Sequence, residues 1–189
     1  MSRLPKKSLN DLTEAQRELF DRLKQGRDVE GGHIGGPFDA WLLNPDMGGR
    51  ITGLGNLFRF RTSVDRRYVE LAILMTGAAW RAQYEWYAHA PMAREAGLPD
   101  EVIDAIWAGR EPRFDDEGDE VAYRLIRELM DTTRVSDATF GAAEDRFRAQ
   151  GVAELVNVAG YYVMVSMTLN TFDVPLPEGV EPPFAETSR

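Results

Sequence analysis

A glutamate and a histidine stand four residues apart in the aromatic segment Gln83-Tyr84-Glu85-Trp86-Tyr87-Ala88-His89. On a helix, positions four apart share a face, so Glu85 and His89 would present a carboxylate and an imidazole to one small volume. Such a pair can act as acid and base, because imidazole gains and loses its proton near neutral pH. The chain has no cysteine among its 189 residues. Thiol nucleophiles, disulfide exchange and sulfur metal ligation are therefore excluded. Proton transfer, carboxylate chemistry and metal binding through oxygen and nitrogen remain.

A third group lies upstream. The run from Val69 to Trp80 is apolar on all sides except for Glu70 and Thr76, and an unpaired buried carboxylate costs several kcal/mol, so Glu70 must be paired or protonated. Arg66 and Arg67 stand about one turn earlier and offer a purely structural partner. Arg81 offers the same to Glu85, and a backbone carbonyl could satisfy His89. At this level the catalytic and the structural readings both stand.

Helices must position these groups. Thr13 and Gln16 form a capping-box pattern ahead of Leu19, Phe20 and Leu23, which predicts a helix over 14–24. Gly26, Gly31, Gly32, Gly35 and Gly36 surround His33 and Ile34 in a loop ending at Pro37, and Phe38, Trp41, Leu42 and Leu43 suggest a short apolar helix. Asn44-Pro45 opens another through Met47, Ile51, Leu54 and Phe58. Ser63 is the expected cap of the Glu70 helix, and Pro91 is expected to break or bend the Glu85/His89 helix near Ala90. Further helices start at Pro99-Asp100-Glu101, after Pro112 and at Ser136, and Gly151 is expected to start a long buried one. No stretch alternates as a strand does, so the fold class is all-α. One domain spans 1–189, with an N-terminal arm over 1–12. A proline-rich tail over 173–189 should lie extended, with a neighbouring subunit as one place to rest.

Charge narrows the partners. With 31 acidic against 22 basic residues the formal charge is −9, which argues against nucleic acid and against an anionic membrane. Val152 to Phe172 approaches spanning length but carries Glu154, Asn157 and Asn170, so it reads as a buried helix. The N-terminus lacks the apolar core of a secretory signal, and a cytoplasmic location is expected. Arginines cluster nevertheless: Arg59, Arg61, Arg66, Arg67 and Arg81 fall in one stretch. Arg61 and Arg81 are the candidates to bind a substrate carboxylate. Trp80 and Tyr84 are candidates to line a cavity for a planar substrate, and His33 and Phe38 belong to the loop that would cover it. The many apolar helix faces lead to the expectation of a homo-oligomer.

Glu70, Glu85 and His89, with the aromatics between them, resemble the signature segment of the carboxymuconolactone decarboxylase family, which includes the alkylhydroperoxidase D-like proteins. The resemblance covers roughly 37–176. The peroxidase branch carries a Glu, eleven residues, Cys-x-x-Cys, three residues and a His; here Glu70, Ala82, Glu85 and His89 occupy those places. The Glu and His match and both cysteines are absent, which leaves the chain closer to the decarboxylase branch. Peroxide reduction in that family needs one thiolate to attack and a second thiol to resolve, so it is chemically disfavoured here. The resemblance implies an all-helical alkylhydroperoxidase D-like protomer, a homotrimer or hexamer, and an active site near a subunit interface. It implies a cofactor-free lyase for a small carboxylated lactone or related acid, with His89 as proton donor, Glu85 orienting it or sharing its proton, and Glu70 as orienter or relay. No metal is required. Two other readings stay open: an iron, manganese or zinc enzyme using Glu70, Glu85 and His89 as ligands, and a non-catalytic binding or assembly protein on the same scaffold.

Overall fold

A computed structural model describes residues 2–5, 8–25, 27, 29 and 33–185. Gly26, Gly31 and Gly32 of the expected loop lie outside the described residues. Eight α-helices and no strand occur among the described residues: α1 Glu14–Leu23, α2 Phe38–Trp41, α3 Pro45–Phe60, α4 Arg66–Ala79, α5 Gln83–Glu95, α6 Asp100–Trp107, α7 Glu117–Thr132 and α8 Asp137–Phe172. The all-α expectation holds.

Helix α4 is the axis of the fold, packed by α5, α7 and α8. Its apolar run explains this, since Leu71, Ile73 and Leu74 are at most 1% exposed, and each fully buried side chain of this kind contributes about 1.5–3 kcal/mol. Thr76 is as deeply buried because its hydroxyl turns back to the carbonyls of Ala72 and Ile73. Helix α1 starts at the expected capping box. It closes a second small core from Leu19, Phe20, Leu23, Ile34 and Leu42, pinned by the Gln16 amide on the Leu42 carbonyl at 2.9 Å.

Two local expectations change. Helix α4 is capped by Asp65, whose carboxylate accepts from the Arg67 amide; Ser63 instead donates its amide and hydroxyl to Glu154 at 2.7 Å each. Asp65 wins because it sits directly before the first helical residue, within reach of the first unpaired amides. Pro91 does not break α5, which runs on to Glu95. Pro91 and Tyr87, one turn before it, are both on the exposed side, so the carbonyl deprived of its helical donor meets water instead. The two helices expected after Ser136 are both present within α8, separated by a kink at Arg148, where φ is 62° and ψ 165°. Close packing marks that junction: a Cβ on Gly151 would come within 2.7 Å of Val64 and 2.8 Å of Phe147.

After α8 the chain turns at Asp173, with φ 51°, and folds back on its own protomer. Phe184 is buried 5.4 Å from the Trp86 ring. The Gln83 amide donates to the Phe184 carbonyl at 2.7 Å and accepts from its amide at 2.9 Å. Trp107 Nε1 donates to the Pro183 carbonyl. The tail therefore finds an apolar partner on α5 of its own chain.

Candidate active site

The site is built where α4 and α5 lie side by side. Their connection is a three-residue turn in which Arg81 takes φ 47° and the amides of Arg81 and Ala82 bond back to Ala78 and Gly77. This tight reversal sets the start of α5 against the end of α4. One turn along α5, Glu85 and His89 face inward, and both are buried with Glu70.

The three groups form one line. His89 Nδ1 is 2.8 Å from Glu70 Oε2, and its Nε2 is 3.1 Å from Glu85 Oε1. A carboxylate only accepts, so the Glu70 contact assigns the Nδ1 proton to the histidine. The Glu85 contact is within ion-pair reach but off hydrogen-bond alignment, and Glu85 Oε1 has no hydrogen-bond partner. Glu70 also takes Arg66 Nε on its other oxygen at 3.4 Å, so the structural pairing and the histidine contact coexist. Arg67 turns away to Asp119 on α7. Neither Arg81 nor a backbone carbonyl replaces the contacts among these three side chains. Tyr162 closes the far side, its ring edge-on to the imidazole at 5.1 Å.

Burial raises the Glu85 pKa above its ordinary value; His89 opposes this and the Glu70 charge adds to it. Glu85 thus favours its neutral acid form. The linkage sign follows: between the ordinary and the raised pKa the folded state binds a proton that the unfolded state has released, so stability falls as pH climbs through that window. Glu85→Gln removes this titration. Thermal melts across pH should show a wild-type loss on the alkaline side that is smaller in the variant; parallel curves would mean that Glu85 is not held protonated.

Glu85 and His89 open onto a cavity of about 880 Å³. Thr52, Gly55, Asn56 and Arg59 present one face of α3 to it, and Tyr161, Tyr162 and Val165 come from α8. The loop 33–38 and tail residues Pro175 to Glu178 complete the wall. Glu70 stays behind His89, outside the lining. The α3 wall approaches closely because Gly55 has no side chain: a Cβ there would lie 2.3 Å from the Tyr161 hydroxyl. Burial raises the pKa of Tyr161 and of Tyr162, which keeps both phenols neutral. In the loop, Gly36 has φ 55° and would press a Cβ to 2.9 Å from the Tyr84 ring, while Asp39 accepts from the amides of Ile34 and Gly35.

Of the residues expected to bind substrate, His33, Phe38 and Tyr84 line the cavity, and Arg61, Arg81 and Trp80 do not. Arg61 caps α3 two residues beyond Arg59, which rotates it about 200° away from the lining face. Arg81 reaches the tail, donating to the Ala185 carbonyl at 2.9 Å. Trp80 caps α4 on the outside, 38% exposed. Arg59, Arg27, Tyr161 and Tyr162 take their places. A signal for Arg59 existed in the spacing of Thr52, Gly55, Asn56 and Arg59, a small and polar face opposite the Leu54 and Leu57 side of α3. Arg27 lies between elements and had none.

The arrangement does not suit the three-ligand metal reading. Glu70 and Glu85 sit against opposite ring nitrogens of His89, so one ion cannot touch both carboxylates and a single nitrogen. No group of three or more metal-binding side chains occurs among the described residues.

The chain is all-helical among the described residues, with a buried Glu/His line on two adjacent helices. Residues 45–128, from α3 into α7, match the carboxymuconolactone decarboxylase family. The fold of the chain is alkylhydroperoxidase D-like. An uncharacterized peroxidase-related protein from Silicibacter sp. TM1040 superposes with a TM-score of 0.71 at 12% identity, over 92% of this chain and 91% of that one. The alkylhydroperoxidase AhpD core of an uncharacterized peroxidase-related protein from Ralstonia eutropha JMP134 gives 0.73 at 16%, over 94% and 93%. At such identities the likeness is one of fold. No curated protein matches the sequence.

Proposed function

We propose that this protein is a cofactor-free lyase of the carboxymuconolactone decarboxylase type, acting on a small carboxylated lactone or related acid. The observation that carries the reading is the Glu70–His89–Glu85 line, buried on one side and open to a ligand-sized cavity on the other. In the reaction the bond between the substrate carbon and its carboxylate breaks, and the electron pair moves into an adjacent carbonyl to give an enolate. Carbon dioxide leaves, and one proton is added to the carbon. That proton comes from Glu85, whose acid form burial favours, through His89 Nε2 at 3.1 Å, and Glu70 keeps the ring oriented through Nδ1. The aromatic walls exclude water from the leaving carboxylate. A homotrimer or hexamer belongs to the same reading, supported by Met47, Leu54, Leu57 and Phe60, exposed apolar residues of α3.

The test is carbon dioxide release from a panel of carboxylated lactones and β-keto acids. Saturable release that His89→Gln removes is the expected result; no release from any member sinks the proposal. Although the structural relatives are described as peroxidase-related, this chain has no thiol to attack peroxide. Peroxide consumption with dithiol donors should stay at background, and sustained turnover would restore the peroxidase reading.

A further inference from the structure

We infer that Arg59 and Arg27 form an anion subsite in the cavity, and that they hold a carboxylate of the substrate that is retained through the reaction. Both guanidinium side chains line the same cavity as His89 and Glu85. Arg59 Nε is buried with no hydrogen-bond partner, Nη2 donates to the Met92 sulfur at 3.2 Å, and the guanidinium lies 5.0 Å from the Phe60 ring centroid. A sulfur is a weak acceptor, so a charged donor set is poorly satisfied. Arg27 lies over the Phe38 ring at 4.3 Å and gives one N–H to the Leu23 carbonyl.

Among the described residues of this acidic chain, ion pairs are made elsewhere by Lys24, Arg50, Arg66, Arg67, Arg94, Arg124 and Arg127. Among the described residues, neither Arg59 nor Arg27 has a carboxylate within ion-pair distance, although Glu85 and Glu178 also line the cavity. Burial first, and the nearby Arg59 charge second, pull the Arg27 pKa below its ordinary value. Two like charges left facing one cavity in a protein of net charge −9 are a place prepared for an anion brought from outside, and planar guanidinium forks match a carboxylate.

The clamped group is not the one lost. A guanidinium pair would stabilise the leaving carboxylate before reaction and oppose its departure, since only interactions stronger in the transition state accelerate the step. This last point rests on the lyase reading; the subsite itself does not. The α3 wall holding Arg59 is separate from the α4 and α5 faces that hold the Glu/His line, so one end of the ligand would be fixed while the other meets His89.

Binding, rather than turnover, separates the two. Calorimetric titration of the full chain with benzoate and with its neutral isostere benzamide should favour benzoate by about tenfold or more, the range of a charged hydrogen bond. Arg59→Gln and Arg27→Gln should each remove most of that preference and leave benzamide unchanged. Arg59→Lys, which keeps the charge without the fork, should retain part of it and serves if the glutamine variant misfolds. His89→Gln should keep the preference. Equal binding of the two probes, no benzoate binding at millimolar concentration, or a preference that survives the arginine variants and disappears in His89→Gln would overturn the subsite. A benzoate preference lost in the arginine variants, with no carbon dioxide release from any acid, would leave the subsite standing and remove the lyase reading.

Discussion

His89→Gln is expected to lower turnover by about 10²–10⁴-fold, the usual cost of losing a positioned acid/base group, while the fold survives. The imidazole touches a carboxylate at each ring nitrogen, at 2.8 Å and 3.1 Å. A glutamine amide of similar reach can still donate to Glu70, but it carries no proton that can be released to a carbon. The burial at this position is mostly supplied by neighbours that do not change, Tyr162 edge-on and α4 behind. The stability cost should therefore stay near the loss of one imperfectly matched hydrogen bond, about 1–3 kcal/mol. Steady-state kinetics of carbon dioxide release, with circular dichroism and a thermal melt on the same preparation, check both halves. Unchanged turnover in a folded variant would make the pair structural and favour a binding or assembly protein on this scaffold.

The Glu70–His89–Glu85 line was legible because it depends on local spacing. Glu85 and His89 share a face by helix geometry alone, and the resemblance to a known spacing linked Glu70 to them. The residues that failed depend on rotation and on chain direction. Arg61 and Arg59 are two positions apart in sequence, yet a helix turns them to opposite sides, and only the placement of α3 against Tyr161 shows which one faces in. Arg81 is turned outward by a left-handed backbone angle that no sequence pattern announced. The prolines of the tail announce a non-helical segment, but its resting place on Trp86 is decided by Phe184 and Gln83, a contact across about a hundred residues. Tertiary packing of this kind leaves no periodic trace.

Glu70→Gln is the sharper test of how the line works. Glu70 is 1% exposed and lies behind His89, away from the cavity lining, so in the proposed reaction its part would be to position the imidazole. Its carboxylate can only accept, which fixes the proton on Nδ1 and leaves Nε2 to exchange one with Glu85. A glutamine in the same place can turn its amide either way. With its N–H₂ toward the ring it donates to Nδ1 and moves the ring proton to Nε2, where it faces the neutral acid that burial favours at Glu85. Two donors then oppose each other and the exchange stops. In the serine-protease triad, replacing the orienting carboxylate by an amide lowers kcat by about 10⁴ through the wrong tautomer. A fall of about 10²–10⁴ is expected here on the same principle. Because Glu70 does not line the cavity, the loss should appear in kcat with KM nearly constant, and Glu70→Asp, which keeps an acceptor at shorter reach, should recover part of it. Arg66 loses its partner in the glutamine variant but is 44% exposed at the side chain, so water can take over and the fold should hold. A raised KM with unchanged kcat, or equal losses in the glutamine and aspartate variants, would show that Glu70 only supports packing and that His89 orients without it.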